Sequence, residues 1–315
     1  MFLCVSANPA IDKLIRITQF RIGAVNRATD AIPEAGGKAA HVAMALRDLG
    51  ERPHWMGFAG GATGDVLISG LKTLGIRAQP ITIQASTREN LAIVDDAGTV
   101  TEILEPGAAP EAKDIRSLEK ACERKFARGK GKLLVILSGS LPTGVPANFY
   151  ASLIHLAHSY GCRVILDSSG VALSRGVKAR PDLVKPNREE AEALTGQKIP
   201  DVRSAQGAVA QILRMGARSV AVSLGKDGVL WGAGENQALL HAHAPDVTRR
   251  STVGSGDAAV AGFAYAMEKG LLPEKAVRLA VACGSANCLS DSLGRIRLSV
   301  VRKIEREVSV ETLSR

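Results

Sequence analysis

The sequence predicts an α/β fold on a mostly parallel sheet, and two observations predict it. Short β-branched or leucine-rich runs alternate with Ala-rich helical stretches over most of the 315 residues, the pattern of a sheet covered by helices. Aromatic residues are only 3% of the chain against 32 glycines, so the core is expected to consist of Ala, Val, Leu and Ile with backbones close together. A chain of this length can bury a large core. One large catalytic domain is expected over residues 1–10, 33–87 and 106–315, with a small sheet from residues 11–32 and 88–105 projecting from it.

The chain enters directly on strand-like Phe2-Leu3-Cys4-Val5. Ile11 to Ile32 and Arg88 to Glu105 then alternate like exposed antiparallel strands with no accompanying helix, the second with a hairpin signal in Asp95-Asp96-Ala97-Gly98. So small a sheet cannot bury a core of its own. It is expected to cover a site, to pair with a second subunit, or both, because Leu14, Ile93 and Ile103 would otherwise face water. Between these segments Gly36-Gly37-Lys38 opens a helix from Ala39 to Leu49, closed by Gly50. Further on, Leu133 to Leu137, Arg163 to Asp167, Asp182 to Lys185 and Ser219 to Ser223 read as parallel strands, each followed by turn residues and a helical pattern. Ligands of open parallel sheets bind outside the carboxyl ends of such strands.

Thr252-Val253-Gly254-Ser255-Gly256-Asp257 leads into an Ala-rich helix and is the strongest local signal. A glycine turn at a helix N-terminus presents free amides and the positive dipole end to an anion. An Asp opposes that anion, so beside its usual role as a first-turn residue Asp257 suggests a base that takes a hydroxyl proton while the amides hold a phosphoryl group. Gly36-Gly37-Lys38 is a second such terminus, although Gly-Gly before a helix is also common turn chemistry.

Composition narrows the partners. The net charge of +9 allows nucleic acid, an anionic small substrate or a solvated basic surface. Scattered Lys and Arg and the scarcity of aromatics argue against nucleic acid. Five cysteines without C-x-x-C spacing indicate neither a disulfide framework nor a zinc site and fit a reducing cytoplasm. No apolar run reaches about 18 residues, so no membrane span is expected. His241 and His243 read as core or surface residues.

Taken together, Asn8-Pro9-Ala10-Ile11-Asp12, Gly36-Gly37-Lys38, Thr87-Arg88-Glu89-Asn90, Ser138-Gly139-Ser140-Leu141-Pro142, Lys185-Pro186-Asn187-Arg188-Glu189-Glu190, Ser223-Leu224-Gly225 and Gly254-Ser255-Gly256-Asp257 resemble the ribokinase-like, PfkB-type carbohydrate kinases, in the 1-phosphofructokinase and tagatose-6-phosphate kinase branch. The resemblance covers nearly the whole chain. It implies a three-layer α/β/α sandwich with a β-sheet lid that joins a homodimer, and ATP-dependent phosphorylation of a sugar phosphate with Mg²⁺. It makes Asp257 the catalytic base and Gly254, Ser255 and Gly256 the anion hole, closed by the amide of Asp257. It makes Asp12, Gly36, Gly37, Lys38, His41, Arg88, Asn90 and Ser138 the sugar side. Lys185, Asn187, Ser223, Gly225, Gly228 and Asn287 fall on the nucleotide side, with Asn187 and Glu190 placing the metal through water. Relatives continue Gly-Gly-Lys-Gly-Ile-Asn-Val-Ala where this chain has Gly36-Gly37-Lys38-Ala39-Ala40-His41-Val42-Ala43, so an imidazole replaces an amide expected to touch the sugar. Two other readings stay open: a kinase of an unphosphorylated sugar or nucleoside, and a non-catalytic sugar-phosphate sensor.

Overall fold

The computed structural model describes residues 1–234, 238–247 and 251–314. Its first half runs β1 (Phe2–Ser6), β2 (Ala10–Ile17), β3 (Asp30–Gly36), α1 (Lys38–Asp48), β4 (His54–Ala59), α2 (Gly61–Thr73), β5 (Arg77–Thr82), β6 (Arg88–Asp95), β7 (Val100–Leu104), α3 (Ala112–Arg128), β8 (Leu134–Ser138) and α4 (Phe149–Ser159). The second half runs β9 (Arg163–Asp167), α5 (Gly170–Lys178), β10 (Leu183–Val184), α6 (Arg188–Thr195), α7 (Val202–Met215), β11 (Ser219–Ser223), β12 (Val229–Ala233), β13 (Leu239–Ala242), α8 (Ser255–Lys269), α9 (Pro273–Cys288), α10 (Leu298–Glu307) and β14 (Val310–Leu313).

The main sheet has the order β14-β13-β12-β11-β10-β9-β8-β1-β4-β5. From β11 to β5 its neighbours are parallel. Parallel strands are covered on both faces, which is why they read as continuous apolar runs. In β1, Phe2 and Cys4 pack with α1, α8 and α9, whereas Leu3 and Val5 pack with α3, α4 and α7. The two-residue period of one strand thus feeds two cores and makes the three-layer α/β/α sandwich.

Past β11 a single 3-10 turn, Gly225–Asp227, stands in place of the expected α-helix. The chain turns through Gly225 and Gly228, both at positive φ, and returns as β12, which pairs antiparallel with β11 and leads on to β13 and β14. No helix among the described residues is long and apolar enough to cross a membrane.

The smaller sheet has the order β3-β2-β6-β7. Its outer pairs are antiparallel, but the central pair β2–β6 is parallel, against expectation, with Asp12 opposite Asn90. Leu14, Ala92 and Val94 pack on Leu293, from the loop after α9. Leu14 is therefore buried within the chain, because this face lies on the main body; Ile93, on the opposite face of β6, is buried as well, and Ile103 stays 51% exposed.

Candidate active site

Two helix N-termini meet at the carboxyl ends of the strands. Gly37 (φ 81°) precedes α1 and Gly254 (φ 82°) precedes α8, a backbone region that only glycine enters without cost. Around them Asp12, Gly37, Lys38, His41, Arg88, Asn90, Lys185, Asn187, Glu190, Ser223, Gly225, Gly228, Gly254, Ser255, Gly256 and Asp257 line one cleft of about 970 Å³. The smaller sheet forms one wall. Its parallel register turns Arg88, Asn90 and Asp12 to the same face.

Asp257 lies in the first turn of α8 and is 6% exposed. First-turn amides have no intrahelical acceptor. The amide of Ser255 nevertheless donates to Thr252 O at 3.2 Å and its hydroxyl to the same oxygen at 2.8 Å. Ser255 is thereby removed from the expected anion hole, which leaves the amides of Gly256 and Asp257. Burial raises the Asp257 carboxyl above its ordinary range, and the adjacent His41 offsets this only in part.

His41 departs most from expectation. Its Nδ1 lies 3.0 Å from Asp257 Oδ2 in a hydrogen bond, and its Nε2 lies 3.0 Å from Asp12 Oδ2, out of line for a hydrogen bond. Both nitrogens face carboxylates, Nδ1 in a hydrogen bond and Nε2 in contact without one, so the ring is turned to Asp257 and Asp12 rather than to the sugar contact expected of it. Asp12 Oδ2 also accepts the Gly37 amide (2.9 Å) and its Oδ1 the Asn90 side-chain amide (2.7 Å). Burial works against the Asp12 carboxylate, but His41, Gly37 and Asn90 together hold it below its usual range. Asn90 Oδ1 remains a buried acceptor without a partner.

The other end of the floor is cationic. Asp167, fully buried at the end of β9, lies 3.5 Å from Lys38 Nζ and 3.4 Å from Lys185 Nζ, and accepts the Ser138 hydroxyl at 3.3 Å. Lys38 also reaches Glu190 Oε1 at 3.4 Å, so its ammonium points along the floor rather than toward the Arg88 wall. Burial disfavours the Lys38 charge, but Asp167, Glu190 and Asp257 push its pKa upward overall. Asn187 and Glu190 form a capping box for α6: Asn187 Oδ1 accepts the Glu190 amide at 2.7 Å and Glu190 Oε2 accepts the Asn187 amide at 2.9 Å. Glu190 Oε1 is the oxygen that faces Lys38 in the cleft. Arg88 donates to the carbonyls of Glu105 (2.6 Å) and Asn8 (3.3 Å), with its Nε buried and unpartnered.

Three expected contacts do not reach the cleft. Gly36 lies beneath Asp12, whose Oδ2 would sit 2.2 Å from a Cβ at that position. Ser138 is buried against Asp167. Asn287 is 2% exposed and donates to Arg295 O at 3.1 Å, which turns it into the loop after α9 rather than toward a nucleotide. Conversely, Asp167 and Glu102 line the cleft without having been expected there. Asp167 closes a strand and reads as turn punctuation; Glu102 lies on an outward-reading strand and is exposed at the cleft rim, its pKa raised by partial desolvation and by Asp12 and Asp257. Outside the cleft, His241 Nδ1 and His243 Nε2 both lie 3.0 Å from Glu311 Oε1, a donor set with metal-site spacing that local sequence spacing did not reveal.

The pfkB family carbohydrate kinase pattern matches residues 6–296. Over 313 residues the chain is 31% identical to tagatose-6-phosphate kinase of Staphylococcus epidermidis, covering 98% of this chain and 99% of the relative. Over 313 residues it is also 31% identical to 1-phosphofructokinase of Bacillus subtilis, covering 99% and 100%. Its fold superposes on the crystal structure of phosphofructokinase-2 from Escherichia coli in complex with substrates and products, with a TM-score of 0.89, 31% identity and 98% of each chain covered.

Proposed function

The chain belongs to the pfkB family of carbohydrate kinases, and on that premise we propose that it transfers the γ-phosphoryl group of ATP to a hydroxyl of a sugar that already carries a phosphate. Fructose 1-phosphate, fructose 6-phosphate and tagatose 6-phosphate are the substrates this reading selects. One observation carries it: a buried carboxylate with a raised pKa, Asp257, stands directly behind the open amides of the α8 N-terminus in the cleft. Asp257 takes the hydroxyl proton, the sugar oxygen attacks the γ-phosphorus, and the bond to the bridging oxygen breaks to release ADP. The amides of Gly256 and Asp257 and the ammonium of Lys38 hold the moving phosphoryl group, work that is mostly positioning and charge neutralisation. The nucleotide lies toward Ser223, Gly225 and Gly228 at the end of β11, with Lys185 beneath the first turn of α8, its Nζ 3.4 Å from where a Gly256 Cβ would stand.

On the sugar side, Asn90 Oδ1 is an acceptor in need of a hydroxyl, and Asp12 stands beside it. Arg88 lines the same wall and supplies the planar cation that recognises the resident phosphate. Mg²⁺ fits the acceptors at the α6 N-terminus: Glu190, whose Oε1 faces Lys38, and Asn187 would place it through water, as suits an ion that keeps most of its own hydration. When bound it would neutralise charge on the nucleotide phosphates. The smaller sheet acts as a lid over this cleft, and a homodimer joined along it is supported by exposed Ile32 and Ile103 on the outer strands β3 and β7. A monomer at micromolar concentration in a size measurement contradicts that assembly.

Arg88→Lys tests the substrate assignment. A lysine keeps the charge but loses the fork, so KM for the phosphosugar should rise by roughly tenfold while KM for ATP hardly moves. If a neutral sugar is the better substrate of the wild type and Arg88→Lys is silent, the resident phosphate is not what Arg88 recognises.

A further inference from the structure

We propose that His41 is a positioning residue of the transfer: held as an imidazolium between Asp12 and Asp257, it keeps the base carboxylate ionised and aimed, and ties it to the carboxylate on the sugar side. The inference rests on Asp257 being the base and asks what sets that base's state.

The count of hydrogens makes the case. Each ring nitrogen of His41 lies 3.0 Å from a carboxylate oxygen, and an ionised carboxylate only accepts. A neutral imidazole has one N–H, so in that form one of its nitrogens would set a lone pair against an anion. The ring is 3% exposed, where water cannot screen such a conflict. Protonation of the ring removes it. Burial alone would lower the pKa of His41, but the bonds and charges of Asp12 and Asp257 raise it to about 10.

The ring is also held in place. Gly294, at φ 64°, closes over the imidazole so tightly that a Cβ there would come 2.5 Å from Cδ2, and its neighbours are pinned on both sides. Leu293 N donates to Glu34 Oε2 at 2.9 Å on the lid, and Arg295 makes a forked pair with Asp48 of α1 at 2.7 and 2.8 Å. The charged groups around His41 are thus Asp12 from β2, Asp257 from α8 and, farther off, Glu102 from β7; Lys38 of α1 and Asp167 of β9 act on it through Asp257. No proton leaves His41 in the transfer. It supplies charge and direction to Asp257, where an amide would supply one neutral donor.

The test compares pH profiles of kcat/KM for wild type, His41→Asn and His41→Gln on the same sugar phosphate. A base works deprotonated, so removing the neighbouring cation raises the Asp257 pKa and should move the acid limb up by about one pH unit or more. Phosphate ionisations of the substrates are common to all three proteins and cancel. A merely structural role would lower the plateau without moving the limb, and coincident limbs overturn the proposal. NMR titration of the His41 ring in the wild type reads its charge without turnover. An imidazolium that persists above about pH 8 is expected; a ring that titrates near its ordinary value of about 6.5 overturns the proposal. This arm also decides the matter if the variants do not fold, or if the wild type phosphorylates no sugar phosphate, in which case the kinase reading fails on its own account.

Discussion

Asp167 and Asp257 are both buried carboxylates on the floor of one cleft, 0% and 6% exposed, yet their surroundings drive them in opposite directions. Burial pushes both up. At Asp167, Lys185 and Lys38 outweigh burial and hold the carboxyl below its usual range; at Asp257, the single imidazole of His41 does not, and the carboxyl ends above it. Two acids whose environments separate them in this way are suited to different work. Asp167 is a fixed anion that anchors two ammonium groups, and Asp257 is poised to take a proton.

The largest effect that would break the comparison is on turnover. Asp257→Asn keeps the shape and removes the proton acceptor, so kcat should fall by about a hundredfold to ten-thousandfold while ATP still binds. Activity within about threefold of wild type would remove Asp257 from the mechanism. Its stability should fall less than that of an Asp167 variant, because the lost charge was one that burial disfavoured and Asp12 still faces the His41 ring. Asp167→Asn should behave in the reverse manner in a denaturant titration, with a loss of about 3 kcal/mol, since it strands the buried ammonium of Lys185. Lys38, 37% exposed, can turn to water and limits the damage. Equal losses of stability in the two variants would show that the two environments do not differ as described.

A smaller effect separates the two in pH. The pKa of His41 is raised on folding, from an unfolded value of about 6.5 to about 10. Its pairing therefore stabilises fully below the unfolded value and is lost as pH rises through the folded one. The stability advantage of wild type over His41→Asn should fade between about pH 6.5 and pH 10, as followed by thermal unfolding at a series of pH values. A constant difference would mean that the ring is not charged. The smallest effect lies at Ser138→Ala, which removes one hydroxyl from Asp167 and should cost ~1 kcal/mol with turnover unchanged.

How much of this could be read from the chain depends on the range of the interaction. Arg163–Asp167 and Ser219–Ser223 were legible because strands buried on both faces are continuous apolar runs. The parallel pairing of β2 with β6 was not, since a two-residue alternation is the same in either direction. The run from β12 to β14 was missed because its short strands follow a glycine turn that also suits a helix start. Within the site, the glycine turns before α1 and α8 announce themselves through local chemistry. The contact between His41 and Asp257 joins residues 216 apart, and no local pattern carries it. Asn287 failed for a related reason: its surroundings are set by the loop from Ser290 to Ile296, not by its own helix.

Product formation tests the central claim most directly. The wild-type protein, ATP, Mg²⁺ and each candidate sugar phosphate, followed by ³¹P NMR, should show the γ-phosphate signal of ATP replaced by a second phosphomonoester signal on the sugar, together with ADP. The same mixture with Asp257→Asn should remain almost unchanged. Release of inorganic phosphate without a sugar bisphosphate, or a bisphosphate formed equally fast by Asp257→Asn, would contradict the account.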